Sequence, residues 1–402
     1  MAKSRRTIRI SDVVHNTIAG GPNLFCSHPF TGGIHNFGGG EIVIAYTEKE
    51  CAYQTREDGS HGEAEARLVL CRTLDGGVTW PAELRQVLRD NREPFDEWLT
   101  RNGEPQPVDM TGPDAMFIFW RSFVRDPWKT ADGQISYRPV TYALRSTDRG
   151  YHWHMPPVIV PHYHLDSNYG TTNYLRMPNG DVLAGFCAYP YPPIGAEPIR
   201  DINQGEPKRS SNDEAQRRPS RNLLYVSKDQ GLHWYYLSII ALEMRDEMGV
   251  AYPALIRFPD GRLMCLSGYR TEKGSPAATC WTVANFSDDD GLTWSEPTRI
   301  NQLGDQANVW RLRDNRLVSV YGYRFVPYGL RGVVSEDDGK TWSEEFVVRS
   351  DGAGPDLGYP VVTELPSGEI LVVYYFNIKD ELDAKLLNGG RRHIACSTFS
   401  LI

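Results

Sequence analysis

Short apolar runs rich in β-branched and aromatic residues, joined by tight turns, recur along the whole chain. Tyr174–Phe186, Ala254–Leu266, Trp310–Tyr321 and Val361–Tyr374 each read as strand, turn, strand, and Gly33–Ala45 fits the same template. Pro-Asp-Gly and Pro-Ser-Gly at the centre of such runs are hairpin signals. Ala115–Trp120 fills the one gap in the series with a poorer turn signal. A second pattern, Ser/Thr-x-Asp-x-Gly-x-Thr/His-Trp, occurs five times, beginning at Thr73, Ser146, Ser227, Ser287 and Ser335. In it an Asp accepts hydrogen bonds from turn amides, a Gly takes a positive φ, and a Trp enters the next strand to bury its ring. One Asp per repeat does not assemble the several oxygen ligands that a calcium site needs, so the motif reads as structural.

Six inner hairpins and five outer turns predict six four-stranded sheets arranged radially, an all-β, six-bladed β-propeller. The sixth unit lacks the Asp turn and ends in the strand Arg392–Ser400, and its missing outer strand is expected from Thr7–Val14, closing the ring. The prediction is one domain over residues 1–402, with insertions at about 84–112 and 190–222. The first insertion is expected to hold a short helix around Glu93–Arg101, and the second, rich in Pro, Ser, Arg and Glu, reads as a long loop.

A formal net charge of -8 argues against nucleic acid or an anionic membrane surface as partner, while leaving room for a small anionic ligand where arginines converge. No apolar run is long enough for a signal peptide or a membrane span, so the chain reads as cytoplasmic, with a mature secreted form that has lost its leader as the alternative. The seven cysteines are scattered with no Cys-x-x-Cys pair, which indicates neither a zinc site nor a disulfide framework. No cofactor is expected: phosphate-loop, nucleotide and Ser/His/Asp signatures are missing from the sequence. Ten Trp and 21 Tyr suit a sugar-binding cleft.

On these repeats the chain resembles the sialidase superfamily, six-bladed propellers that carry such Asp boxes. The resemblance implies a Tyr nucleophile paired with a Glu, an Asp acid/base, and three arginines on the substrate carboxylate. The segment from Asp356 through Tyr359-Pro360 looks like the one in which Tyr opens the innermost strand, so Tyr359 is the nucleophile candidate. The acid/base falls in the loop before the first Asp box, where Asp58 and Glu63 are both suitable. His28 stands where the family has an Arg, and Tyr252 stands where it has the Glu. Arg121, Arg270, Arg324 and Arg331 follow or flank inner hairpins and are candidate substrate ligands, since guanidinium forks match carboxylates.

Histidines offer a rival chemistry. His28, His35, His162, His164 and His393 fall near strand ends or entry loops, whereas His152 and His233 belong to the Asp boxes. A His/Tyr pair could abstract a proton beside a uronate carboxylate, as polysaccharide lyases do. The leading expectation is an exo-acting glycoside hydrolase on a terminal acidic sugar. A glycan lyase on the same propeller and a noncatalytic glycan-binding propeller are the alternatives.

Overall fold

A computed structural model describes residues 6–53, 65–125, 137–161, 166–169, 172–190, 220–242, 248–271, 279–378 and 390–402. After β1 (Val14–Ala19), the first blade contains β2 (Leu24–Ser27), β3 (Ile34–Gly38), β4 (Glu41–Glu50), β5 (Arg67–Thr73) and β6 (Gln86–Asp90). Helix α1 (Phe95–Thr100) leads to blade 2, with β7 (Met116–Arg125), β8 (Tyr137–Ser146) and β9 (His154–Val160). Blade 3 holds β10 (Asp166–Tyr169), β11 (Tyr174–Arg176), β12 (Val182–Pro190), β13 (Arg221–Ser227) and β14 (Tyr235–Ala241). Blade 4 comprises β15 (Met248–Arg257), β16 (Leu263–Thr271), β17 (Cys280–Ser287) and β18 (Thr298–Arg299). Blade 5 comprises β19 (Asp305–Arg311), β20 (Leu317–Tyr323), β21 (Gly329–Ser335) and β22 (Phe346–Arg349). Blade 6 takes β23 (Gly358–Glu364), β24 (Ile370–Ile378) and β25 (Arg391–Phe399), and β1 pairs antiparallel with β25 as its outermost strand. The fold is a six-bladed β-propeller closed by an N-terminal strand.

Three expectations need correction. The closing strand is Val14–Ala19, not Thr7–Val14; Ile8 and Ile10 instead pack against the core shared by blades 5 and 6, and Ile10 makes only a single bridge to Leu401. Blade 2 has three strands among the described residues, and Met116–Arg125 is one long strand rather than an inner hairpin. Residues 86–90 of the first expected insertion are the outer strand of blade 1, and residues 221–222 of the second already belong to β13. The helix expected in the first insertion is present as α1, whose Phe95 and Trp98 are buried against Tyr142.

The Asp boxes join the last two strands of blades 1 to 5. In the fifth, Ser335 Oγ donates to Asp337 Oδ1 at 2.9 Å and accepts from Gly339 N at 2.9 Å. Asp337 also receives the Thr341 amide at 2.8 Å and its hydroxyl at 2.6 Å. His152 and His233 replace that Thr and reach Asp148 and Asp229 through Nδ1 at 2.6 Å each, a structural use. The box Gly has positive φ and no room for a side chain. A Cβ on Gly291 would lie 2.4 Å from Leu224 of blade 3, and one on Gly339 would lie 2.6 Å from Met264 of blade 4. Each box therefore locks its blade onto the preceding one; Gly77 lies against Leu371 of blade 6 and continues the contact across the closure.

Around the axis, Asn side chains tie inner strands together. Asn173 of blade 3 bonds both the carbonyl and the amide of Leu255 in blade 4, and Asn308 of blade 5 accepts from Val362 N of blade 6. Asn36 of blade 1 donates to Thr363 and Glu364 of blade 6.

The boxes also predict a pH dependence. Partial burial works against the charge on Asp75, Asp148, Asp229 and Asp337, but hydrogen bonds from the amide and side chain four residues on outweigh it. At Asp289 the bonds from Thr293 dominate outright. All five carboxyls titrate below their ordinary range, so the native state binds fewer protons than the unfolded chain in acid. Their contribution is present above the unfolded carboxyl value of about 3.9 and is lost as pH falls through the lower folded values. The melting temperature should drop steeply below about pH 4, and Asp337→Asn should flatten that slope. An unchanged slope in the variant would refute the assignment.

Candidate active site

Four inner strands break at one residue with left-handed backbone. His28 (φ 55) follows β2, Tyr252 (φ 57) interrupts β15, Gln306 (φ 59) interrupts β19, and Tyr359 (φ 50) interrupts β23. In blades 4, 5 and 6 the strand register shifts at this point, which makes each a bulge. A bulge re-aims its side chain, and left-handed backbone at a non-glycine residue costs roughly 1–3 kcal/mol that surrounding packing must offset. Strain repeated at equivalent positions of different blades singles out these four residues as the candidate site.

The side chains meet. Tyr359 Oη donates to Tyr252 Oη at 2.7 Å, linking blades 6 and 4. Phe30 stacks on Tyr359 at 4.9 Å between centroids, Tyr375 stacks at 5.5 Å, and the His28 ring meets Tyr359 edge-on at 5.5 Å. His28 Nδ1 bonds Ser27 Oγ at 3.0 Å, and its ring lies 5.9 Å from Trp120. Tyr252 and Tyr359 are only 5% and 7% exposed, whereas the Arg270 side chain is 24% exposed, so the cluster opens toward its arginines.

Two guanidiniums flank the tyrosine pair. Arg270 lies 5.1 Å from the Tyr252 ring centre, and Arg324 lies 5.4 Å from that of Tyr359. Arg270 forms an ion pair through Nε with buried Asp305. Arg324 donates to Gln306 Oε1 at 3.1 Å, Leu357 O at 3.2 Å and Tyr375 Oη at 3.3 Å. Tyr375 in turn donates to Asp356, whose other oxygen pairs with Arg392 Nε at 3.0 Å. Burial works against the charge on Arg270, but Asp305 and the two tyrosines outweigh it and its pKa stands well above the usual guanidinium value. Burial opposes Arg324 too, yet the oxygens of Tyr375 and Tyr359 raise it. Burial and then the Asp356 charge push Tyr375 far above the ordinary phenol range, so it stays a neutral donor.

Of the residues singled out from sequence, the structure brings together Tyr359, Tyr252, His28, Arg270 and Arg324. Arg331 is elsewhere: it sits on β21, the third strand of its blade, over the Tyr323 ring and 3.7 Å from Glu345. Inner-strand ends converge on the axis and third strands do not, which removes Arg331 from the cluster. Arg121 lies on β7 beside Trp120, paired in register with Thr141. Asp58, Glu63, His162 and His164 lie outside the described residues. His35 is partly buried near Phe37 and Tyr174, and desolvation together with Arg176 lowers it to about 3. His393 packs on Phe376, and burial lowers it to about 4. Gln306, Asp305, Asp356, Tyr375 and Arg392 were not singled out. All seven cysteines are buried thiols. Among the described residues no group of three or more His, Cys, Asp or Glu is placed to hold a metal ion, and no helix is long and apolar enough to cross a membrane.

A protein of unknown function from Dyadobacter fermentans has the same architecture, with a TM-score of 0.68 and 21% identity over 98% of this chain and 99% of that one. The NanB sialidase of Streptococcus pneumoniae follows at TM-score 0.56 and 12% identity, over 95% of this chain and 70% of that one. An alpha-L-arabinanase of Penicillium chrysogenum, solved with arabinobiose, gives TM-score 0.55 and 10% identity over 98% of both chains. No curated protein matches the sequence. The model of the BNR repeat-like domain matches residues 100–372, more than half of the chain. With its Asp boxes, six blades and axial tyrosines, the chain belongs to the BNR repeat-like domain family, on a sialidase-like propeller.

Proposed function

We propose that the protein is a glycoside hydrolase acting on a terminal sugar that carries an anionic group. The observation that carries this reading is the Tyr359–Tyr252 hydroxyl pair held between Arg270 and Arg324. A phenol with a pKa near 10 is a weak nucleophile until positive charge stabilises its phenolate. Tyr359 releases its proton to water as it attacks, and the Tyr252 hydroxyl, now 2.7 Å away as acceptor, turns to donate to the phenolate while both guanidiniums face the charge. Attack by Tyr359 oxygen at the anomeric carbon then expels the leaving oxygen. An acid from the loop before the first Asp box, Asp58 or Glu63, supplies the proton, and water releases the sugar. Tyr252 replaces the carboxylate base expected from the resemblance, so electrostatic stabilisation carries more of the activation. Solved proteins of this fold that act on glycans, a sialidase and an arabinanase, support a carbohydrate substrate.

A second reading is favoured by one contact, the His28 ring edge-on to Tyr359. A neutral imidazole beside a phenol suits proton abstraction next to a uronate carboxylate, and the product would then be an unsaturated sugar. One screen separates the two: chromogenic glycosides of acidic and neutral sugars followed for aryl release, and oligosaccharides with a uronate substituted at O4 followed for absorbance of an unsaturated product. Release without unsaturation supports hydrolysis. Unsaturation without net hydration would replace it with elimination.

If the substrate is anionic, Arg324→Ala should lower kcat/KM by an amount worth about 1.5–3 kcal/mol, that of a charge-assisted hydrogen bond. The loss should be larger on substrates bearing the charge than on neutral ones, which lose only the support that Arg324 gives the Tyr359 phenolate. Equal losses on neutral and anionic glycosides would refute Arg324 as the anion ligand.

A further inference from the structure

Three buried polar atoms beside the tyrosine pair have no hydrogen-bond partner among the described residues: Arg270 Nη2, Asp305 Oδ1 and Gln306 Nε2. They belong to one connected set. Arg270 and Asp305 are ion-paired through Nε and Oδ2 alone, which leaves the second nitrogen and the second oxygen of that same pair open. Gln306 follows Asp305 in the chain and spends Oε1 on Arg324, which leaves its amide nitrogen open. Asp305 and Gln306 are 0% and 1% exposed, so bulk water does not serve them. A buried polar group left unpaired costs about 1–3 kcal/mol, and such a cost at a strained bulge fits a site that pairs with a ligand.

The donor set selects the ligand. Two open donors and one open acceptor complement a hydroxyl, which offers two lone pairs and one proton. They do not complement a carboxylate, which would meet Asp305 Oδ1 charge to charge. Asp305 already neutralises Arg270, whereas Arg324 has only neutral acceptors: an amide oxygen, a backbone carbonyl and a phenol. We propose that Arg270, Asp305 and Gln306 form a hydroxyl subsite that takes one neutral hydroxyl of the glycan, and that the anionic group is left to Arg324. The inference rests on the glycan-cleaving reading above. It assigns to Gln306 a specificity role in which one end of the amide fixes Arg324 and the other reads the substrate.

The test uses para-nitrophenyl glycosides of N-acetylneuraminate, glucuronate, galacturonate and arabinofuranose, each with its monodeoxy analogues. On the wild-type protein, removal of one particular hydroxyl should cost about tenfold to a hundredfold in kcat/KM, the range of a hydrogen bond to a charged site. Gln306→Glu keeps the oxygen that accepts from Arg324 and turns the open donor into an acceptor. In that variant the penalty for the missing hydroxyl should shrink by about threefold to tenfold, the share of one neutral hydrogen bond, whatever the overall rate. Gln306→Leu, checked for folding by its thermal melt, should do the same. Wild-type protein indifferent to every single hydroxyl, or a penalty unchanged in both variants, overturns the subsite while the hydrolase reading stands. If no glycoside is turned over, the hydrolase reading fails, and calorimetric titration with the free sugars and their deoxy forms decides the subsite alone. The same one-hydroxyl penalty in affinity supports it, and its absence overturns it.

Discussion

Tyr359→Phe should lower turnover by roughly 10³-fold or more while leaving fold and substrate affinity close to wild type. The substitution deletes one oxygen. The ring keeps its stacking on Phe30 and Tyr375 and its edge contact with His28, so the aromatic packing at the axis survives. The loss in stability is that of one buried hydrogen bond, the 2.7 Å contact with Tyr252, worth about 1 kcal/mol. Chemistry is hit harder, because the oxygen that two guanidiniums stabilise as a phenolate is gone. Initial rates on the best glycoside from the screen, a thermal melt and a binding titration together read the result. Turnover within tenfold of wild type in a folded variant would remove Tyr359 from the reaction under either the hydrolytic or the eliminative reading.

Most of the architecture is legible because it is written in local chemistry. An Asp box encodes its own turn through contacts no more than four residues apart, and its recurrence gives the blade count. What failed was long-range. Thr7–Val14 alternates like a strand, yet Ile8 and Ile10 are drawn onto the apolar core shared by blades 5 and 6, and the pairing with β25 falls to Val14–Ala19. Blade 2 offered no turn residues after Ala115–Trp120 because that run does not turn; it continues to Arg125.

The site divides along the same line. His28, Tyr252 and Tyr359 each precede a proline, and that repeated dipeptide at inner-strand starts is visible in the sequence. Gln306 occupies the equivalent bulge but precedes Ala307, so the dipeptide gives no sign of it. Spacing does: Tyr252 to Gly261, Gln306 to Asn315 and Tyr359 to Gly368 are the same interval, each ending on the left-handed residue of its hairpin turn. Arg331 misled because it is close in sequence to Arg324. A hairpin separates them and places Arg331 one strand further from the axis. The Arg392–Asp356–Tyr375–Arg324 chain joins two strands of blade 6 and the segment before β23 to blade 5, and no single stretch of sequence contains it.

Trp342→Ala should destabilise the fold by roughly 3–5 kcal/mol, the range for deleting a buried aromatic, and Trp294→Ala should cost less. The five Trp of the Asp boxes are equivalent in sequence but not in burial. Trp342 is 6% exposed, belongs to the core shared by blades 4 and 5 with Phe258, Met264 and Leu317, and donates Nε1 to Gly339 O at 3.0 Å. Trp294 is half-buried and only packs against the margin of its core, so its removal opens a groove that water and neighbouring side chains fill rather than a closed cavity. Its Nε1 bonds to Ser238 Oγ and Gly291 O are replaceable by water for the same reason. Guanidinium unfolding of the two variants measures the difference, and turnover per folded molecule should stay at wild-type level in both, since neither ring touches the tyrosine cluster. Equal losses would show that sequence position rather than burial sets the cost. Selective loss of turnover in Trp342→Ala would give the fifth Asp box a part in function that its hydrogen bonds do not show.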